Sequence, residues 1–313
     1  MKQVMKRFQC GDTASASVAN QFLEICYNSG MNEPKIAPVV VAFVSDLMFT
    51  TRIQNVVNHL GWRIEWVETA VSVGPTNSPN QRERPGESLH GVEGKLFTQI
   101  TNWQPALLLF DLTNQQIPWR RWLPILKSSP ATRRIPILAF GPHEDAETMK
   151  DAKKLGANWV VGRSRFTSAM PKLLQKYARI PDADALASSC DEPLADLAKE
   201  GIALFNQGEY YKCHDALEEA WKQDKSPARE LYRGILQVGI AYYQIQRGNY
   251  RGGMKMLLRL RQWLEPLPPV CRGVHIAKLR QNAAEVQAIL TELGPEKIEA
   301  FDTAVIQPIE YAE

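Results

Sequence analysis

Residues 39–44, VVVAFV, are apolar without a break and mostly β-branched. Such a run predicts a strand buried on both faces, as in a parallel sheet. A helical period follows in FTTRIQNVVNHL, with Gly61 placed to stop it. The same alternation then repeats. RIEWVET (63–69), PALLLFDL (105–112), IPILAFG (135–141) and NWVVG (158–162) read as strands. Helical patterns near 92–102, 119–128, 145–157 and 168–179 lie between and after them. Five strands alternating with helices predict an α/β doubly wound five-stranded parallel sheet over residues 36–180. Residues 72–93, rich in Gly, Pro, Ser and Asn, read as a mobile insertion within it.

The pattern changes after residue 180. Residues 181–193 have the Pro, Ala, Ser and Asp content of a linker, with Asp191 and Pro193 placed to open the next helix. From 194 to 300 the periodicity is helical throughout, which predicts an all-α bundle, and 301–313 reads as a tail. The helical part also repeats itself at an offset of 40: Gly208 matches Gly248, Tyr210 matches Tyr250 and Leu217 matches Leu257. Each glycine would end one helix and each tyrosine would pack at the start of the next, the logic of tetratricopeptide-like helical hairpins.

Ligand chemistry in a doubly wound sheet lies at the carboxyl ends of the strands. Ser45 and Asp46 follow the first strand, Asp111 the third and Gly141 the fourth, and Gly162 and Arg163 follow the fifth. With that set, residues 36–180 resemble a response-regulator receiver, a flavodoxin-like domain. The resemblance implies a phosphoacceptor at Asp111 and a Mg²⁺ ligand at Asp46, because a hard cation takes oxygen ligands and an aspartate is the nucleophile that becomes the aspartyl phosphate. Three positions depart from that pattern. Ser45 replaces the first acidic residue, Gly141 replaces the hydroxyl, and Gly162 or Arg163 stands where a lysine is expected. The domain therefore reads as a pseudo-receiver for docking or homodimerisation. An active phosphorelay receiver phosphorylated on Asp111, with Mg²⁺, is the alternative.

In the helical part, His214, Glu218 and Trp221 fall at i, i+4 and i+7 and share one face. In the second copy the corresponding positions of the first two are the apolar Met254 and Leu258. Glu230, Arg233 or Gly234, and Gln237 form a matching stripe on the next helix. A buried hydrogen-bond network joining His214 to Glu218 or Glu230, completed by Gln237 and Tyr232, is expected, or a ligand pocket built from the same groups. His214, Glu218 and Glu230 could alternatively hold a metal ion in a metal-dependent enzyme. Cys213 and His214, as helix neighbours, diverge by about 100° and cannot pair as nucleophile and base. The segments YYKCHDALEEAW, RELYRGILQVGIAYYQ and RGNYRGGMKML, with a turn at Gly248, Asn249 and Tyr250, resemble the domain-of-unknown-function family 309. That resemblance covers residues 194–265 and implies an all-helical fold with no established activity.

Composition narrows the remaining classes. The 313 residues are 44% hydrophobic and 23% charged with a net charge of +3, so neither nucleic acid nor an acidic membrane is called for. No apolar run approaches the roughly 20 residues of a membrane helix. The five cysteines show no CxxC spacing, which speaks against zinc ribbons and a disulfide framework and for a reducing cytoplasm. Residues 1–35 read as a disordered extension, with Met31 as a candidate translation start. The expectation is a non-enzymatic regulatory or scaffold protein that binds a protein partner through its helical domain.

Overall fold

The computed structural model describes residues 37–74 and 89–312; residues 1–35 and most of the 72–93 insertion lie outside the described residues. Strands β1 (Val39–Phe43), β2 (Arg63–Trp66), β3 (Leu107–Asp111), β4 (Ile137–Gly141) and β5 (Trp159–Gly162) form one parallel sheet in the order β2-β1-β3-β4-β5. This is the flavodoxin-like doubly wound order, and its switch point lies between β1 and β3. The uninterrupted apolar runs follow from burial on both faces. Val40, Ala42, Leu107 and Leu109 enter one core with Ile53 and Val57 of α1 (Leu47–His59) and Phe166 and Leu174 of α6 (Arg163–Tyr177). Val39, Val41, Leu108 and Phe110 enter the other core. There they meet Leu96 and Ile100 of α3 (Gly91–Trp103), Trp122 and Leu126 of α4 (Trp119–Ser128), and Ala152 of α5 (Ala146–Lys154). Each fully buried large apolar side chain contributes about 1.5–3 kcal/mol before its ordering entropy is subtracted.

The predicted insertion is shorter than its composition suggested. A single turn, α2 (Ala70–Val73), is capped by Thr69 and buries Val73, and α3 already begins at Gly91. The predicted linker is not a free segment either. Residues 183–190 form helix α7 (Ala183–Cys190), which puts Leu186 and Cys190 into the helical core. Asp191 closes α7 instead of opening the next helix, and α8 (Asp196–Asn206) starts after Ala195.

Helices α8, α9 (Cys213–Gln223), α10 (Glu230–Gln246), α11 (Tyr250–Leu264) and α12 (Ile276–Leu293) complete the bundle. The internal echo appears as two turns of one geometry. After α8, Gly208 N–H donates to Phe205 O and Glu209 N–H to Leu204 O; after α10, Gly248 N–H donates to Ile245 O and Asn249 N–H to Gln244 O. Both glycines are left-handed, with φ of +80° and +68°, as this helix stop requires.

Two features were not expected in an all-helical stretch. A two-stranded hairpin, β6 (Val270–Cys271) and β7 (Val274–His275), lies between α11 and α12. The predicted tail adds to it: Val274 bridges Tyr311, His275 N–H donates to Glu310 O, and Ala312 N–H donates to Gly273 O. Ile309 is buried, and its N–H and C=O both bond the Asn206 side chain, at 2.7 and 3.0 Å.

The cysteine expectation is overturned. Cys190 and Cys271 form a disulfide across 81 residues, tying α7 to β6. The scattered spacing concealed the pair, and the cysteines no longer speak for a reducing compartment. No helix among the described residues is long and apolar enough to cross a membrane.

The two parts meet along α11. It packs on α3 as well as on α10 and α12. Gln262 Nε2 donates to Pro130 O at 3.0 Å, and Arg134 stacks on Trp263 with its guanidinium carbon 4.0 Å from the ring centroid.

Candidate functional site

At the carboxyl ends of the strands, Asp111 closes β3 and is 2% exposed. Its carboxylate is fully engaged. Oδ1 accepts from Thr113 N–H at 2.9 Å and from the Thr113 hydroxyl at 2.7 Å, and Arg163 Nη2 lies 3.2 Å from Oδ2. Arg163 also bonds the Thr113 hydroxyl, and its guanidinium sits 5.1 Å from the Phe49 ring. The structure thus chooses between Gly162 and Arg163 at the position after β5: Gly162 ends the strand, and Arg163 opens α6 and reaches back to Asp111. The β3–α4 loop is held as tightly, because Asn114 Nδ2 donates to Glu68 O and Trp119 Nε1 donates to Leu112 O.

Asp46 does not join Asp111 in a cation site. Its Oδ1 caps α1, accepting from Met48 N–H at 2.9 Å and Phe49 N–H at 3.3 Å. Ser45 is exposed. A Cβ on Gly141 would touch Leu112 Cβ at 3.4 Å, so the position of the missing hydroxyl is closely bordered. Mg²⁺ needs several oxygen ligands in near-octahedral array. One buried carboxylate already paired with a guanidinium, and a second spent on a helix cap, do not fit it.

The expected helical network does not assemble. His214 Nδ1 lies 3.1 Å from Asp215 Oδ1, its own neighbour, with 35% of its side chain exposed. Glu218 pairs with Lys222 at 3.2 Å and is 40% exposed. Glu230 lies 3.9 Å from Arg229. Among the described residues no group of three or more His, Cys, Asp or Glu could hold a metal ion, so His214, Glu218 and Glu230 do not converge. Tyr232 turns elsewhere and bonds Arg272. The cause lies in what covers each copy of the echo. α9 packs chiefly on α8 and α10 and leaves the His214–Glu218 face half open. α11 is covered on more sides, so Met254 and Leu258 are buried. Asn249 of the predicted turn caps α11 through Gly252 N–H, and Gly248 and Tyr250 flank it.

Two of the stripe residues do meet a site, with partners the sequence did not indicate. The Arg233 guanidinium carbon lies 4.7 Å from the Trp221 ring and 4.2 Å from the Trp263 ring. Arg229 approaches Trp221 at 4.8 Å, and Arg134 approaches Trp263 from the sheet domain. Three arginines and two tryptophans therefore form a ladder across the junction, with Glu230 beside it. Burial, opposed by Glu230 and reinforced by Arg233, Arg179 and Arg133, pulls the Arg134 guanidinium down to about 10. Arg233 is lowered as well, first by burial. Glu230 Oε2 and Trp221 Nε1 are buried without a hydrogen-bond partner. Gln237 is half-buried and joins none of these groups.

A second cluster was also invisible in sequence. Arg272, 6% exposed and left-handed at φ +52°, follows Cys271 in the hairpin. It pairs with Asp224 and Glu192, each at 2.8 Å, and donates to Ser226 Oγ and Ser189 O. A lone arginine in a loop carries no periodic signal that would mark it as buried.

The comparisons with known proteins divide at the same place. The family model described as "Domain of unknown function (DUF309)" matches residues 198–256. An uncharacterized protein of Aquifex aeolicus (strain VF5) is 29% identical over 93 residues, covering 29% of this chain and 28% of that protein. The uncharacterized protein YpuF of Bacillus subtilis (strain 168) is 36% identical over 50 residues, 16% of this chain and 29% of YpuF. The chain thus spans less than a third of the length of the curated relatives it matches. Among solved structures, the receiver domain of a Pseudomonas aeruginosa PAO1 sensor histidine kinase, with a magnesium ion coordinated in its active-site cleft, is similar at 12% identity and a TM-score of 0.34. That similarity covers 45% of this chain and 97% of the receiver. A response regulator from Chloroflexus aurantiacus J-10-fl is similar at 13% identity and a TM-score of 0.34, over 45% of this chain and 96% of that one. The strand order β2-β1-β3-β4-β5 and burial on both faces of the sheet make the first part receiver-like in fold, with a DUF309-like helical part attached.

Proposed function

We propose that the protein is a regulatory or scaffold protein without an enzymatic activity of its own. Its receiver-like domain serves as a docking or dimerisation module, and its hairpin-built helical domain carries a protein partner. The observation that carries this reading is the Arg163–Asp111 pair. A phosphoacceptor must present a free carboxylate oxygen to an incoming phosphoryl group beside a bound cation. Here Arg163 and Thr113 occupy Asp111, and Asp46 caps a helix. The half-open face of α9, with His214 and Glu218 in solvent-exposed pairs, offers polar groups to a partner at no cost to the core. Incubation of the full chain with acetyl phosphate and Mg²⁺, followed by intact-mass spectrometry, tests this reading. No phosphoryl adduct is expected; an adduct abolished by Asp111→Asn would replace the proposal with an active phosphorelay receiver.

A further inference from the structure

The ladder at the domain junction holds more positive charge than the protein neutralises. Arg133, Arg134 and Arg179 come from the sheet domain, and Arg229 and Arg233 from the helical one. Arg134 and Arg233 share the Trp263 ring at 4.0 and 4.2 Å, and Arg229 and Arg233 share the Trp221 ring at 4.8 and 4.7 Å, while Arg133 and Arg179 add repulsion on Arg134. Facing these five guanidiniums, Glu230 is the acidic group that acts on both Arg134 and Arg233. It neutralises them poorly: Oε1 is 3.9 Å from Arg229 Nε, and Oε2 is buried without a hydrogen bond. The side chains of Arg133, Arg134, Arg179 and Arg233 make no hydrogen bond or ion pair with the described residues.

Crowded, partly desolvated like charges cost free energy unless an anion offsets them. Guanidiniums whose N–H edges are unused are the groups that take phosphate oxygens in bidentate fashion. The Trp221 and Trp263 rings already engage guanidinium carbons. They hold the arginines in place through cation–π contact and are not available to stack a base. Recognition therefore falls on charge and N–H edges, which read a phosphate group, not a nucleobase. The number of uncompensated charges matches an anion carrying several.

We propose that the junction between the two domains is a binding site for a small polyphosphate anion, gripped by Arg134 on one side and by Arg229 and Arg233 on the other. The ligand bridges the domains, so its binding strengthens their docking. The inference stands apart from the reading of Asp111.

Isothermal titration of the full chain with inorganic pyrophosphate at low ionic strength tests it. One site per chain is expected. Arg134→Glu should weaken binding by about tenfold or more, as should Arg233→Gln. Arg134 is exposed, so its variant leaves the core untouched. Arg165→Glu, an exposed arginine on the first turn of α6, should leave binding unchanged. Absence of binding at millimolar pyrophosphate overturns the proposal, as does an equal loss in Arg165→Glu, which would mean diffuse charge only. A single-stranded oligonucleotide that binds where pyrophosphate does not overturns it in favour of a nucleic-acid backbone.

Discussion

Cys213 shows how one side chain is governed by its surroundings. It has no solvent exposure, and its Sγ donates to Tyr210 O at 3.1 Å. Burial pushes its thiol up to about 12, from a usual value near 9. The folded state therefore keeps a proton that the unfolded chain releases. The stability this confers is complete below pH 9 and is lost as pH rises from 9 to 12. Iodoacetamide at pH 8 should leave Cys213 unmodified in the native protein and modify it after unfolding, as peptide mapping by mass spectrometry will show. Residue-level reading of the sequence succeeded where position alone carried the message. Asp111, Gly141 and the missing lysine were legible because strand ends are easy to place. It failed where burial depends on a distant neighbour. His214 and Glu218 occupy positions that are apolar in the second copy, yet the second copy is apolar because α11 is covered on more sides, which no local pattern records.

At the scale of elements, periodicity located each strand of the sheet and the principal helices, because burial on two faces and on one face leave different repeats. What it could not locate were short pieces stabilised by tertiary contact: the single turn α2, helix α7 in a linker-like composition, and the hairpin strands of two residues each. The echo of Gly208 and Gly248 offers a clean element-scale test. A Cβ at either position would meet no atom within 4 Å, so the only penalty of Gly208→Ala or Gly248→Ala is the left-handed backbone. Each should destabilise the protein by about 1–2 kcal/mol, read as a lower denaturation midpoint with an unchanged denaturant slope. A much larger effect at one of them would mean that its turn touches something beyond its own helix.

At the scale of the whole molecule, the Cys190–Cys271 bridge and Arg272 clamp the segment between the domains onto the hairpin. A loop of 81 residues closed by a disulfide loses enough unfolded-state entropy to contribute up to about 4.5 kcal/mol in the chain-entropy account. Reduction, or Cys190→Ser with Cys271→Ser, should therefore lower the unfolding free energy by about 2–4 kcal/mol in denaturant titrations. No change on adding reductant would mean that Arg272 alone holds the clamp. The strand-like segment that pairs with the hairpin also sets the order in which the domains can finish folding. Residues 305–312 complete the hydrogen bonds of Asn282, whose side chain meets Val305 O and Gln307 N–H, and of Asn206, which meets Ile309. During synthesis the sheet domain can close once residue 179 or so has left the ribosome, since its last backbone tie is Arg179 N–H to Ala106 O. The helical domain waits for the segment 305–309, whose backbone supplies partners to Asn282 on α12 and to Asn206 on α8, so α8 is finished by a residue 103 positions further along the chain.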